Sequence, residues 1–82
     1  MLKFFAFLEV DPEKIYRAED AINSLDLQEI EELECYKIMG PYDIVIVASC
    51  TNIDGMAKIT NSILEIDGIE TATTVPVKQE RA

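Results

Sequence analysis

The sequence contains no histidine and no tryptophan. The missing imidazole removes Ser-His-Asp and Cys-His catalysis and every metal site that needs a histidine ligand. Magnesium or calcium held by carboxylates alone stays open, although no Asp-x-Asp loop is present. Cysteine is scarce too: Cys35 and Cys50 form no metal-binding pair, and two cysteines make no disulfide framework. That usage fits a reduced, cytoplasmic setting. Basic residues number 7 against 16 acidic ones, for a net charge of −9. A phosphate backbone repels such a surface, and nucleic-acid binders are usually basic. No stretch has the length and uniform apolarity of a membrane span. The start, "MLKFFAFLEVD", is apolar but has no cleavage site, so it reads as a strand rather than a signal peptide. The expectations are no cofactor, no metal, no direct nucleic-acid contact and no membrane.

What is present is a chain of 82 residues, 49% of them hydrophobic. That is one domain, and a chain so short buries only about 60% of its unfolded surface. Residues 2–10, "LKFFAFLEV", read as a first strand. Asp11-Pro12-Glu13 starts a helix: a capping candidate, a proline at the first position, an acid in the first turn. Its apolar face is Ile15, Ala18, Ile22 and Leu25. "EIEELECYKIMG" reads as a second strand, its Glu29, Glu31, Glu32 and Glu34 solvated, and "DIVIVASC" as a third. Thr51 or Asn52 caps a second helix with the face Met56, Ile59, Ile63 and Ile66, and Asp67-Gly68 is read as its stop. "IETATTVPVK" is the fourth strand.

The order is βαββαβ, which predicts an α+β, ferredoxin-like fold: a four-stranded antiparallel sheet with two helices on one face, of the dimeric barrel or sandwich type. The first and third strands are central. Pro76 marks the fourth as an edge, and the charges on the second discourage stray pairing. "FFAFL" and "IVIVA" are apolar at consecutive positions, so both faces of the central strands are greasy. Two helices cover only one face. The simplest cover for the other is a second copy, so a homodimer is expected.

The central hairpin carries "GPYD", Gly40-Pro41-Tyr42-Asp43. With Pro41 and Tyr42 as the loop, Gly40 faces Asp43, Cys35 faces Ala48 and Cys50 faces Leu33. The two cysteines then lie diagonally, about 7–8 Å apart, too far for an unstrained disulfide, and both read as small buried residues. Asp43 has two readings. It accepts backbone N–H bonds and holds the corner, or it takes a ligand's ammonium while the capped start of the second helix takes the carboxylate. Tyr42 is expected at the tip, as a contact with another subunit.

These features together resemble the effector-binding (RAM) domain of the Lrp/AsnC transcription regulators. The carriers are the element order, "GPYD" at the hairpin, the Asn52-led second helix, and "IDGIETATTVPV" at the end, over nearly the whole chain. Pro41, Asn52 and Pro76 depart from the usual pattern. The resemblance implies one effector domain over residues 1–82 without a helix-turn-helix, binding a small molecule of amino-acid type and modulating full-length regulators without touching DNA. It implies homodimers that assemble into rings, often octamers, with the effector between dimers. The implied ligand-binding residues are Gly40, Tyr42, Asp43, Asn52, Thr73 and Thr74. The competing reading is a small dimeric ferredoxin-like enzyme, a monooxygenase or isomerase, with Tyr16, Tyr36, Tyr42 and Asp43 as its available groups and no clustered acid and base. RNA binding on the sheet needs aromatic and basic residues that "DIVIVASC" lacks.

Overall fold

Residues Leu2–Val10 form β1, whose aromatic and aliphatic side chains suit a pleated, packed surface. Asp11 ends the strand and its carboxylate accepts from the Glu13 N–H at 3.0 Å. Pro12 opens a single 3-10 turn, Pro12–Lys14, which leads into α1, Ile15–Asn23. β2, Ile30–Lys37, and β3, Ile44–Cys50, make the central hairpin. Asn52 caps α2, Ile53–Leu64, by accepting from the Gly55 N–H at 2.9 Å, and β4 is Ile69–Pro76. The computed structural model describes residues 1–77.

The sheet order is β2-β3-β1-β4, every pair antiparallel. This is the ferredoxin-like arrangement expected from the element order, with β1 and β3 central. Phe4, Ala6, Leu8 and Val10 of β1 and Ile44, Ile46, Ala48 and Cys50 of β3 point to the helices and are buried. Ala18 and Ile22 of α1 and Ile59 and Ile63 of α2 close over them. Each large side chain in that layer contributes about 1.5–3 kcal/mol by burial. Exposed ion pairs such as Lys14–Asp67 at 3.0 Å contribute about 0–1 kcal/mol each, so packing decides the fold.

Two expectations need correcting. The hairpin register is offset by two residues: the Ile38 N–H donates to the Asp43 carbonyl at 2.9 Å, so the loop is Met39–Tyr42. Cys35 therefore faces Ile46, and Leu33 faces Ala48. The cause lies on the neighbouring strand. The Asp43 N–H donates to the Leu8 carbonyl at 2.9 Å, which holds Asp43 in the sheet rather than in the turn. Gly40, with φ of +127°, supplies the reversal instead. The cysteines are then four strand positions apart, about 13 Å; both are free thiols, Cys50 buried and Cys35 half-buried. The second correction concerns Gly68, which does not stop α2. The helix ends at Leu64, and the half-buried Ile66 draws the chain into a further turn. Gly68, φ +102°, serves the next junction, where its carbonyl accepts from the Asp11 N–H at 2.8 Å.

The two glycines make a comparison. A Cβ at Gly68 would lie 2.8 Å from Lys14 Cβ, whereas one at Gly40 meets nothing within 4 Å. Both substitutions carry the strain of a positive φ, about 1–2 kcal/mol. Gly68→Ala should therefore lower stability more than Gly40→Ala in urea unfolding; equal losses would show that Lys14 moves aside freely. The thiols give a pH dependence. Burial, with Glu19 nearby, pushes the Cys35 thiol up to about 11, and burial raises Cys50 as well. The folded chain then holds protons that the unfolded chain releases above its ordinary thiol value of 9.0. Stability should thus fall as pH rises from about 9 toward 11. Cys35→Ala should flatten that fall in a pH series of melting temperatures; an unchanged slope would remove Cys35 as a contributor.

Candidate functional site

The helices leave one face of the sheet bare. Lys3, Phe5, Phe7 and Glu9 of β1 point to it, alternating with the buried set. Phe5 stands opposite Val47, and Phe7 opposite Val45 on one side and Thr73 on the other. Phe5, Phe7, Val45 and Val47 are half-buried there. The Phe5 and Phe7 rings stack with centroids 6.3 Å apart, and Tyr42 leans on Phe7 at 5.4 Å. An aromatic run thus leads across the face to the hairpin. Tyr42 is half-buried against that run rather than free at the tip; Met39, 97% exposed, is the tip.

Asp43 sits where this run ends. β1 pairs with β3 only as far as Leu8–Ile44, and the β1–β4 register shifts between Glu9 and Val10. The Val10 N–H is left over at this irregularity, and Asp43 Oδ2 accepts from it at 2.8 Å. One carboxylate oxygen therefore clamps the end of β1. No other described residue hydrogen-bonds the side chain, which leaves Oδ1 available on the residue that follows Tyr42.

The remaining residues implied by resemblance do not gather there. Asn52 follows β3 at its far end; the seven residues of that strand, at about 3.3 Å each, put it on the order of 23 Å from Asp43. Thr73 and Thr74 are adjacent on β4 and point to opposite faces. Thr73 stands beside Phe7 on the bare face, while the Thr74 hydroxyl lies 3.2 Å from that of Thr60 beneath α2. One chain thus brings together Gly40, Tyr42, Asp43 and Thr73, and leaves out Asn52 and Thr74. What the sequence reading missed is Phe7, the residue both Tyr42 and Thr73 border. The signal was present: alternation along "KFFAFLEV" puts Phe5 and Phe7 on the face opposite Phe4 and Leu8.

The other tyrosines are placed differently. Tyr16, on α1, is 69% exposed, with Lys37 Nζ 4.2 Å from its ring centroid. Tyr36 is exposed on β2, where the Glu34 carboxylate raises its phenol above the usual range. Among the described residues no three Cys, Asp or Glu side chains are grouped as a metal would need, and no helix is long and apolar enough to cross a membrane.

The fold is shared with known structures. A protein of Thermus thermophilus superposes with a TM-score of 0.84 over 100% of this chain and 99% of that one, at 22% identity. Escherichia coli AsnC superposes with a TM-score of 0.81 at 28% identity, over 99% of this chain and 53% of AsnC, so this chain spans about half of that regulator. A transcriptional regulator of Neisseria meningitidis, solved in complex with L-methionine, gives a TM-score of 0.75 at 21% identity, over 96% of this chain and 51% of that one. No curated protein sequence matches the chain significantly. Residues 3–81 match the sequence profile of the Lrp/AsnC ligand binding domain, from β1 through the last strand, and the chain belongs to that family.

Proposed function

We propose that this protein is an effector-binding and assembly module: it takes up an amino acid at the hairpin corner and modulates transcription regulators of its own family without binding DNA itself. The observation that carries this is the Asp43 carboxylate, fixed through Oδ2 and available through Oδ1, beside an aromatic floor on a face that no helix covers. A fixed carboxylate receives an ammonium group by a charge-assisted bond, about twice as strong as a neutral one. Phe7 and Tyr42 supply the apolar surface for a side chain. The Neisseria regulator solved with L-methionine makes a small apolar amino acid the first candidate.

The geometry of one chain supplies only half of such a site. The capped start of α2 is a natural partner for the ligand's carboxylate, but Asn52 is too far from Asp43 to serve the same molecule. A second copy must bring its own group. The bare face gives the reason for copies to meet: Phe5, Phe7, Val45 and Val47 form an apolar patch that water would otherwise touch. A homodimer through this face, with further dimer–dimer contacts at the hairpins in a ring, satisfies both needs. The net charge of −9 favours contact with basic surfaces of partner regulators and opposes contact with DNA.

Assembly is tested first. Light scattering at micromolar protein should give a dimer or a multiple of it, and Phe7→Glu should return a folded monomer; a stable wild-type monomer would sink the face-to-face contact. Ligand binding is tested on Asp43. A thermal-shift screen of the twenty amino acids should reveal a stabilising one. Asp43→Asn keeps the shape and can still accept from Val10, so stability should drop by only about 0.5–1.5 kcal/mol. Its affinity for that amino acid in calorimetric titration should fall by more than about tenfold, roughly 1.5–3 kcal/mol. Unchanged affinity would reduce Asp43 to a clamp on β1. Asp43→Ala leaves the Val10 N–H without its partner and should cost about 1–3 kcal/mol of folding stability whichever holds.

A further inference from the structure

The dipeptide Asp-Gly occurs twice, as Asp54-Gly55 and as Asp67-Gly68. Glycine has no side chain to shield its backbone nitrogen, so in such a pair the nitrogen can approach the aspartate side-chain carbon beside it. The fold treats the two pairs differently. Asp54 and Gly55 lie in the first turn of α2. The Gly55 N–H donates to Asn52 Oδ1 at 2.9 Å. Gly55 is buried, with the Cβ atoms of Cys50 and Glu29 3.4 Å from the place its own would take. Asp67 and Gly68 lie in the link between α2 and β4. Among the described residues nothing accepts from the Gly68 N–H. The Asp67 side chain is 63% exposed, and its carboxylate meets Lys14 Nζ at 3.0 Å and Arg17 Nη1 at 3.8 Å. Exposed pairs of this kind are weak and open readily. The two Asn-Ser pairs, a related chemistry, are closed like the first Asp-Gly: the Ser24 N–H donates to the Asp20 and Ala21 carbonyls, and Asn61-Ser62 is inside α2.

We propose that Asp67-Gly68 is a self-modification site, where the chain rearranges through a cyclic imide to isoaspartate, and that the cap of α2 keeps Asp54-Gly55 from the same reaction. A bond forms between the Gly68 nitrogen and Cγ of Asp67, and the carboxyl hydroxyl leaves as water with the amide proton. Water then opens the ring. If the new bond breaks, aspartate returns. If the old bond from the Asp67 main-chain carbon to that nitrogen breaks, the backbone runs on through Cβ and Cγ, and the former main-chain carbon becomes a free carboxylate. One water leaves and one returns, so the mass is unchanged and nothing is oxidised or reduced. Asp54 cannot follow this course in the folded chain. Ring closure there requires release of the Gly55 N–H from Asn52 and opening of the first helical turn. At Gly68 the product has a structural effect. One extra backbone carbon falls beside the Gly68 carbonyl, which accepts from the Asp11 N–H at 2.8 Å. The preceding N–H, of Val10, is the one that Asp43 clamps, and Val10 pairs with Ile69. The rearrangement therefore loosens β4 from the end of β1 and shifts the carboxylate that Lys14 holds. Asp67 faces Lys14 and Arg17 in the helical layer, so a dimer through the bare sheet face leaves it open.

The test is to keep the full chain for weeks in neutral buffer, folded and in guanidinium chloride. Isoaspartate is then labelled with an S-adenosylmethionine-dependent carboxyl methyltransferase, and the labelled peptides are mapped by mass spectrometry. In the folded chain the label should appear at Asp67 at least about tenfold faster than at Asp54, which needs a local opening of α2. In denaturant the two pairs should react at comparable rates, because the difference belongs to the fold. Asp67→Glu keeps a carboxylate near Lys14 but has to close a larger ring, so the label there should vanish. The aged fraction of the wild type should melt at a lower temperature than fresh protein, and aged Asp67→Glu should not show that loss. The site assignment is overturned by a folded chain that stays unlabelled at Asp67 while the denatured chain reacts, by equal labelling of both pairs in the folded chain, or by a label that survives Asp67→Glu. An aged, labelled fraction that melts with the fresh one would overturn the link to β1.

Discussion

β1 is the constraint on which the rest depends. It pairs on both sides, with β3 and β4, and it is apolar on both faces. Phe4, Ala6, Leu8 and Val10 demand a helical cover, and α1 and α2 provide it. Phe5 and Phe7 demand another, and no element among the described residues provides one. An antiparallel sheet normally solves this by alternating apolar with polar residues. Here the outward aromatics are kept, at a cost of about 25 cal/mol for each Å² left in water. On the proposed reading a second copy comes to that face.

The hairpin is subordinate to the same strand. Its four-residue loop looks free, yet two bonds tie the residue that follows it to β1, one through the Asp43 N–H to Leu8 and one from the Val10 N–H to its carboxylate. A net hydrogen bond contributes about 0.5–1.5 kcal/mol, and a charged acceptor more. The exposed ion pairs, by comparison, sit in high dielectric and are screened by salt. The clamp therefore outweighs Lys14–Asp67 or Arg17–Asp67 in fixing where the bare face ends, and it ties the Asp43 carboxylate to the end of β1.

Much of this was legible in the sequence because it is periodic or local. The helix faces, the Asn52 cap, the edge role of the strand with Pro76 and the two-sided character of β1 and β3 all follow from spacing and residue type. The hairpin register did not follow, because the residue that decides it, Asp43, answers to Leu8 and Val10, more than thirty positions away in the chain. The Asp67-Gly68 signal was genuine but misassigned: positive φ was needed, only at the junction with Asp11 rather than at the helix end. Thr73 and Thr74 were carried by resemblance to the same pocket, and the period of a strand puts the two neighbours on opposite faces.

The separation of Asp43 from Asn52 turns distance into mechanism. A ligand held by one chain alone would add to that chain's stability and do nothing to its neighbours. On the proposed reading the ammonium and carboxylate of one amino acid meet groups from two copies. Binding then favours only the assembled state, and by linkage assembly raises ligand affinity by the same factor. No moving part is required, because the coupling resides in the incompleteness of each half-site. The size of the effect is bounded by the ligand's contacts with the second copy. A charge-assisted pair of about 1.5–3 kcal/mol shifts a dimer–ring equilibrium by roughly ten- to a hundredfold. That is enough to move a population across its midpoint if the apo assembly is poised near it, and too little to build a ring from stable monomers. On that reading the apolar face supplies the dimer first, and the amino acid acts on what the sheet has already joined.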